Sequence, residues 1–253
     1  MLITPNRDKL NKIVVLNPKG GCGKTTLATN LASYYARRGP VPALMDSDPQ
    51  GSTMSWLEKR PPSNAPIHGI AAFKKSMQAT RSWQLRVPSE TTTLIVDSPA
   101  SLTHDDLREV TRDSSSILVP VLPSSIDIHA ASRCIADLLL VAKIDRRDRK
   151  LAVVANRTRL HTKSLQKLMR FLDSLGIPII AVLRDTQNFV HAAEVGIGIC
   201  EMPPHKVRGD IEQLDQIVQW LDGWQDRRRD PAEKRRIEQA SNVTMLRKPG
   251  HGG

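Results

Sequence analysis

Apolar residues in this chain fall in short unbroken runs, separated by longer stretches in which apolar positions recur every three or four residues. The runs cover 13–16, 41–45, 93–96, 117–122, 151–155 and 177–183. Runs of this length, rich in Val, Ile and Leu, predict strands buried on both faces. Segments at 24–38, 103–113, 128–143, 162–175, 188–195 and 209–225 carry the helical period. In the 162–175 segment Leu165, Leu168, Leu172 and Leu175 form one stripe, and Gly39-Pro40 stops the first helix. The proline-rich, polar stretch 58–69 predicts a loop. Strand and helix alternate throughout, which predicts an α/β fold: a mostly parallel, twisted sheet flanked by helices in three layers. Three stretches follow from this pattern. They are an N-terminal extension at 1–11, a folded unit at 12–225, and a basic C-terminal tail at 226–253 with one short charged helix expected at 231–240.

Composition narrows the class. The chain has 253 residues, with 40% hydrophobic and only 4% aromatic side chains, a bias that suits a parallel sheet. Cys22, Cys134 and Cys200 are widely spaced and form no C-x-x-C pair, so neither a disulfide framework nor a zinc site is expected and a reducing cytoplasm is. No apolar run reaches the length of a signal peptide or a membrane span. The formal charge of +11 favours a polyanionic partner, nucleic acid or an anionic membrane, over a neutral one. Most of the excess is local: between Lys143 and Arg170 there are ten Lys or Arg against Asp145 and Asp148.

The chemistry lies in Lys19-Gly20-Gly21-Cys22-Gly23-Lys24-Thr25-Thr26, between the first strand and the first helix. A polyphosphate needs many hydrogen-bond donors close together. Glycines let backbone N–H groups converge without side chains in the way, and the helix that follows adds its positive end. Lys24 is placed to neutralise the β- and γ-phosphates, Thr25 to ligate Mg²⁺, and Thr26 to lie near the α-phosphate. The expected ligands are therefore ATP and Mg²⁺ on a P-loop NTPase fold. One position departs from the general G-x-x-x-x-G-K-[ST] rule: Pro18 stands where its first glycine would be, and a second lysine, Lys19, precedes Gly20.

With that second lysine the chain resembles the ParA/MinD family of deviant Walker A ATPases, whose mark is K-G-G-x-G-K-[ST]. The resemblance runs from about Lys12 to Leu221. It implies that Lys19 reaches across a homodimer to phosphates held in the other subunit, so that the dimer forms with ATP and loosens after hydrolysis. Asp46-Ser47-Asp48-Pro49-Gln50-Gly51-Ser52 is similar to the family's first switch segment. On that likeness Asp46 lies near the metal and Asp48 orients the attacking water. Val96-Asp97-Ser98-Pro99-Ala100-Ser101 resembles the Walker B and second switch segment, where Asp97 holds Mg²⁺ through water. Asn156 matches the position at which relatives bind adenine.

Family members differ in what the dimer does. The ParA-like branch binds DNA without sequence preference and moves plasmids, chromosome origins or large protein assemblies such as carboxysomes over the nucleoid. The basic surface favours this branch: Lys163, Lys167 and Arg170 share a helix face away from the leucine stripe, with Arg157 and Arg159 just before. Arg184 sits where relatives carry a DNA-contacting arginine, and Lys206 and Arg208 follow. A cargo-linked activator protein that stimulates slow hydrolysis is expected as a further partner. The alternative is a MinD-like, membrane-associated switch. Its amphipathic candidate at 211–224 sets Ile211, Leu214, Ile217, Val218 and Leu221 beside Glu212, Asp215 and Asp222, an acidic neighbourhood that an anionic leaflet repels. Thr244-Met245-Leu246-Arg247-Lys248 is too short to anchor, and no membrane contact is expected. A cluster-binding relative would need paired cysteines that are not apparent. A metabolic ligase would leave Lys19 without a role.

Overall fold

The structure, a computed structural model, describes residues 10–73, 87–159 and 162–228. Seven strands make one sheet: β1 (Asn11–Val15), β2 (Ala43–Asp46), β3 (His68–Ala71), β4 (Thr93–Asp97), β5 (Ser116–Val121), β6 (Leu151–Thr158) and β7 (Ile179–Arg184). They lie in the order β3-β2-β4-β1-β5-β6-β7, and every neighbouring pair is parallel. Val14, Ile95, Leu118 and Val153 have no exposed surface, as the unbroken apolar runs require.

Parallel strands need crossovers, and these supply the helices: α1 (Lys24–Ala36), α2 (Ser52–Glu58), α3 (His104–Thr111), α4 (Ser125–Leu140), α5 (Lys163–Leu175), α6 (Gln187–Glu194), α7 (Pro204–Asp222) and α8 (Trp224–Arg228). α1, α2, α6 and α7 cover one face through Leu27, Leu31, Trp56, Ala192, Leu214 and Leu221. α3, α4 and α5 cover the other through Leu107, Ile135, Leu138, Leu168 and Leu172. The result is the three-layer P-loop α/β fold that the alternating pattern implies. In α5 the stripe is anchored by Leu168 and Leu172. The helix starts at Thr162, whose side chain accepts the Leu165 N–H, and stops at Gly176 with φ 64°.

Two elements depart from the sequence expectation. The segment 58–69, expected as loop, ends in the edge strand β3, and α2 forms directly before it. The first turn of α2 is held from a distance: Asp46 Oδ2, at the end of β2, accepts the Met54 N–H at 3.1 Å. The apolar stripe of α7 is buried, with Leu214, Ile217, Val218 and Leu221 all packed on the sheet, so this stripe has no apolar face to offer a membrane. Among the described residues no helix is long and apolar enough to cross one. Asn11 already belongs to β1 and Asp226 to α8. The expected helix at 231–240, the 244–248 segment and most of both terminal stretches lie outside the described residues.

Candidate functional site

The loop between β1 and α1 is shaped by its own side chains. Asn17 is buried. Its amide donates to the Pro120 carbonyl at 2.7 Å, and its Oδ1 accepts the Lys19 N–H at 2.9 Å. Gly21 and Gly23 take φ of 76° and 97°, a backbone shape that costs any other residue strain. No side chain caps α1 at Gly23, so its first N–H groups are left for a ligand. Lys24 is buried within the loop, its ammonium 3.4 Å from the Lys19 carbonyl.

Thr25 stands beside the carboxylate expected from β4. Its hydroxyl donates to Asp97 Oδ2 at 2.7 Å, and the Thr53 hydroxyl of α2 donates to the same oxygen at 2.7 Å. Among the described residues Asp97 Oδ1 is buried without a hydrogen-bond partner. Burial pushes the Asp97 carboxyl up to about 6, and the two hydroxyls offset only part of that. An acidic oxygen left without a donor beside a hydroxyl and a buried lysine fits a hydrated divalent cation. Thr53 lies just past the switch-like string, and its part here was not visible in the sequence.

The other sequence-derived positions divide. Lys19 is half-buried, and its backbone is fixed by Asn17 and Lys24, while its side chain bonds to no described residue. Asp48 is half-buried, with Oδ1 accepting the Gln50 N–H at 3.0 Å in a tight turn. Asp46, expected at the metal, has no exposed surface, and both oxygens accept backbone N–H groups, from Asp48 at 3.0 Å and Met54 at 3.1 Å. It therefore shapes the switch segment, and each oxygen keeps a lone pair beyond these bonds. Asn156 is held by two bonds. Its amide donates to the Cys22 carbonyl at 2.8 Å and its Oδ1 accepts the Arg157 N–H at 2.9 Å. A Cβ on Gly23 would collide with that amide, so Asn156 braces the phosphate loop and keeps one N–H and one lone pair beyond these bonds.

Beside the loop opens a cavity of about 450 Å³. Phe189, Val190 and Ala193 of α6 line it, together with Thr26, Asn156, Arg157, Arg184 and Lys59. An apolar wall faced by a few polar groups, next to a phosphate-binding turn, suits a nucleoside. It lies at the carboxyl ends of the strands, where open α/β sheets bind ligands.

Among the expected DNA contacts, Lys163, Lys167 and Arg170 are exposed along α5, and Arg157 and Arg159 are exposed at the end of β6. Lys206 is exposed, and Arg208 is paired with Glu212 at 3.1 Å. Arg184 is exposed and already paired. Its guanidinium grips the buried Asp210 with two bonds, at 2.5 and 2.9 Å, and it lines the nucleoside cavity. Its side chain stays about half exposed, at 47%. Cys22, Cys134 and Cys200 are free and buried, and burial pushes each thiol up.

Comparison with known proteins agrees with this geometry. Residues 13–199 match the family model described as the CobQ/CobB/MinD/ParA nucleotide binding domain. The chain is 32% identical to maintenance of carboxysome distribution protein A of Gloeobacter kilaueensis, over 83% of this chain and 93% of that protein. It is 26% identical to the protein of the same name from Halothiobacillus neapolitanus, over 83% of this chain and 96% of that one. A putative plasmid partition protein of Borrelia burgdorferi, solved with AMPPNP, shares the fold with a TM-score of 0.66 at 13% identity, covering 84% of this chain and 98% of that one.

Proposed function

This chain belongs to the CobQ/CobB/MinD/ParA nucleotide-binding family, and from that premise we propose that it is an ATP-driven positioning protein. Two copies close on ATP, the dimer grips duplex DNA without sequence preference, and a cargo-linked activator protein ends each cycle by stimulating hydrolysis. The observation that carries this reading is Lys19. The chain fixes its backbone on both sides and leaves its ammonium without a partner among the described residues, on the rim of the phosphate loop. A cation held ready in this way has no structural task in one copy. Aimed at phosphates in a second copy, it stabilises the negative charge that develops on transfer and ties association to the triphosphate.

Lys24 and the N–H groups of Gly21, Gly23 and α1 hold the phosphates, and Asp48 orients the attacking water. Thr25, Asp46 and, through water, Asp97 would hold Mg²⁺, which would neutralise phosphate charge. Thr53 links Asp97 to α2, so a change at the switch segment is felt at the metal position. Lys163, Lys167 and Arg170 contact phosphate backbones, and dimerisation doubles this surface. Arg157, Arg159, Lys206 and Arg208 extend it. The working unit spans 12–225, and its place is the nucleoid of the cytoplasm. The two relatives named for carboxysome distribution support a large protein assembly as the cargo.

Sedimentation of the Asp48→Ala protein, which is expected to hold ATP without turning it over, tests the role of Lys19. A dimer is expected with ATP and a monomer with ADP. Adding Lys19→Ala should keep ATP binding but leave the protein monomeric, and Lys19→Ala alone should lower the activator-stimulated rate by about a hundredfold. A Lys19→Ala protein that still dimerises with ATP contradicts the reading.

A further inference from the structure

Among the described residues that line the nucleoside cavity, Lys59 alone comes from the switch side of the molecule. It directly follows α2 and shares the wall with Thr26 and with the segments that end β6 and β7. The other charged side chains on the wall are Arg157, Arg184, Asp185 and Glu194. Arg184 is held by Asp210, Asp185 lies 3.8 Å from Arg159, and Glu194 lies 4.0 Å from His191. The side chains of Lys59 and Arg157 bond to no described residue. Arg157 belongs to the exposed basic surface at the end of β6, whereas Lys59 stands at the end of a helix whose other end lies at the metal position.

α2 is a short link between the two ends of the site, and it is fastened at both. In its first turn the Thr53 hydroxyl donates to Asp97 Oδ2 at 2.7 Å, and the Met54 N–H donates to Asp46 Oδ2 at 3.1 Å. At about 1.5 Å per residue its seven residues span about 10 Å, a reach comparable with that from the terminal phosphate to the sugar of an extended nucleoside triphosphate. The far end is tied to the turn after α6. Gly196, with φ 73°, rests so close that a Cβ there would fall 2.5 Å from the Lys59 carbonyl carbon and 2.6 Å from the Arg60 nitrogen. Arg60 clasps the buried Glu201 with two bonds, at 2.5 and 2.9 Å, and Glu201 also accepts the Gly198 N–H at 2.8 Å. The Lys59 backbone is thereby fixed against the element that forms the apolar wall of the cavity. A fixed stem lowers the entropy lost when the ammonium takes up a ligand.

We propose that Lys59 is a nucleoside-contacting residue: its ammonium donates to the ribose oxygens or purine ring nitrogens of bound ATP, and α2 couples that contact to Thr53 and Asp97 at the metal position. The inference rests on the reading of the cavity as the nucleoside site. An ammonium only donates hydrogen bonds, and ribose oxygens and purine ring nitrogens are acceptors that a nucleoside presents to such a wall. A ligand that supplies phosphates and nucleoside together engages both ends of α2. A ligand that supplies phosphates alone engages one. Lys59 therefore favours a nucleoside triphosphate over a bare polyphosphate and ties the position of the switch segment to the presence of the nucleoside.

The test is calorimetric titration of the full chain with ATP, 2′-deoxy-ATP and inorganic tripolyphosphate, each with Mg²⁺. Lys59→Met should weaken ATP binding about tenfold and leave tripolyphosphate binding unchanged, which also shows that the variant folds. Lys59→Arg keeps donors at the same place and should recover most of the loss. A smaller loss for 2′-deoxy-ATP than for ATP places the contact at the ribose 2′ oxygen, and an equal loss places it elsewhere on the nucleoside; either supports the proposal. Thr53→Val should weaken ATP binding too, and Thr53→Val/Lys59→Met should lose less than the two single losses combined. Unchanged ATP affinity in Lys59→Met overturns the proposal. So does an equal loss for tripolyphosphate, which makes Lys59 a phosphate contact, and so do fully additive losses, which leave α2 without a coupling role. A parent protein that binds ATP no more tightly than tripolyphosphate overturns the nucleoside reading of the cavity and this inference with it, whereas one that binds neither overturns the ATP-driven function itself.

Discussion

Asp97 carries its charge in a place where the folded chain does little to support it. Two hydroxyls share one of its oxygens, and the other has no hydrogen-bond partner among the described residues. Burial holds its carboxyl at about 6 against an ordinary value of 3.8. A carboxyl raised in this way costs stability when ionised, so the penalty is present above about pH 6 and is gone below about pH 4. Asp97→Asn keeps an oxygen for Thr25 and Thr53 and removes the charge. At pH 7 it should stabilise the nucleotide-free protein by about 1–3 kcal/mol and abolish the further rise in thermal midpoint on adding ATP with Mg²⁺. A variant that is less stable than the parent and still responds to Mg²⁺ would show that Asp97 serves the fold alone. At this scale the phosphate loop was legible in the sequence, because its glycines and lysines are adjacent and each answers a local need. Asp46 and Asn156 were legible as positions at the site but not in their bonds. Their partners, Met54 for one and Cys22 for the other, are brought to them by the fold. Thr53 was not legible, since a threonine in a short polar segment gives no sign that a carboxylate lies 2.7 Å away.

The longer elements announced themselves by period, and the short ones did not. α2 has seven residues, too few to show a helical stripe, and part of its support comes from Asp46 on another element. β3 has four residues and exists because β2 offers it a partner edge. The loop after α2 is fastened in the same non-local way. Arg60 meets Glu201 through two bonds, at 2.5 and 2.9 Å, with both side chains almost fully buried. It also donates to the Ala65 carbonyl. The clamp fixes neighbouring Lys59, on the cavity wall, against the segment after α6, and so joins the switch-side helix to the nucleoside side. Arg60→Met leaves a buried carboxylate unpaired and should cost about 3–5 kcal/mol; Arg60→Met/Glu201→Met should recover much of that. Urea unfolding of both variants checks this. A double variant as unstable as the single one would show that the charge pair itself, and not the unpaired carboxylate, sets the cost.

For the whole molecule, the parallel sheet sorts the chemistry by pole. Every strand delivers its carboxyl end to the same side, which gathers residues 17–26, Asp97, Asn156 and the cavity from distant parts of the chain. The alternation of apolar runs and helical periods was enough to foresee this architecture, since parallel strands with buried faces admit few arrangements. Strand order and the pairing of Arg184 with Asp210 were not foreseeable, because both depend on which elements become neighbours. The charge excess was visible in the sequence both as a number and as a run from Lys143 to Arg170, and only the fold shows which of those cations are exposed. ATP control of DNA affinity is the central claim. The most direct test compares binding to random-sequence duplex DNA with ATP, with ADP and without nucleotide, across a salt series. The account predicts that ATP raises affinity at least tenfold over both other states, with a steeper salt dependence, and that Lys163→Glu/Lys167→Glu removes this gain. Equal affinity in all three states would contradict it.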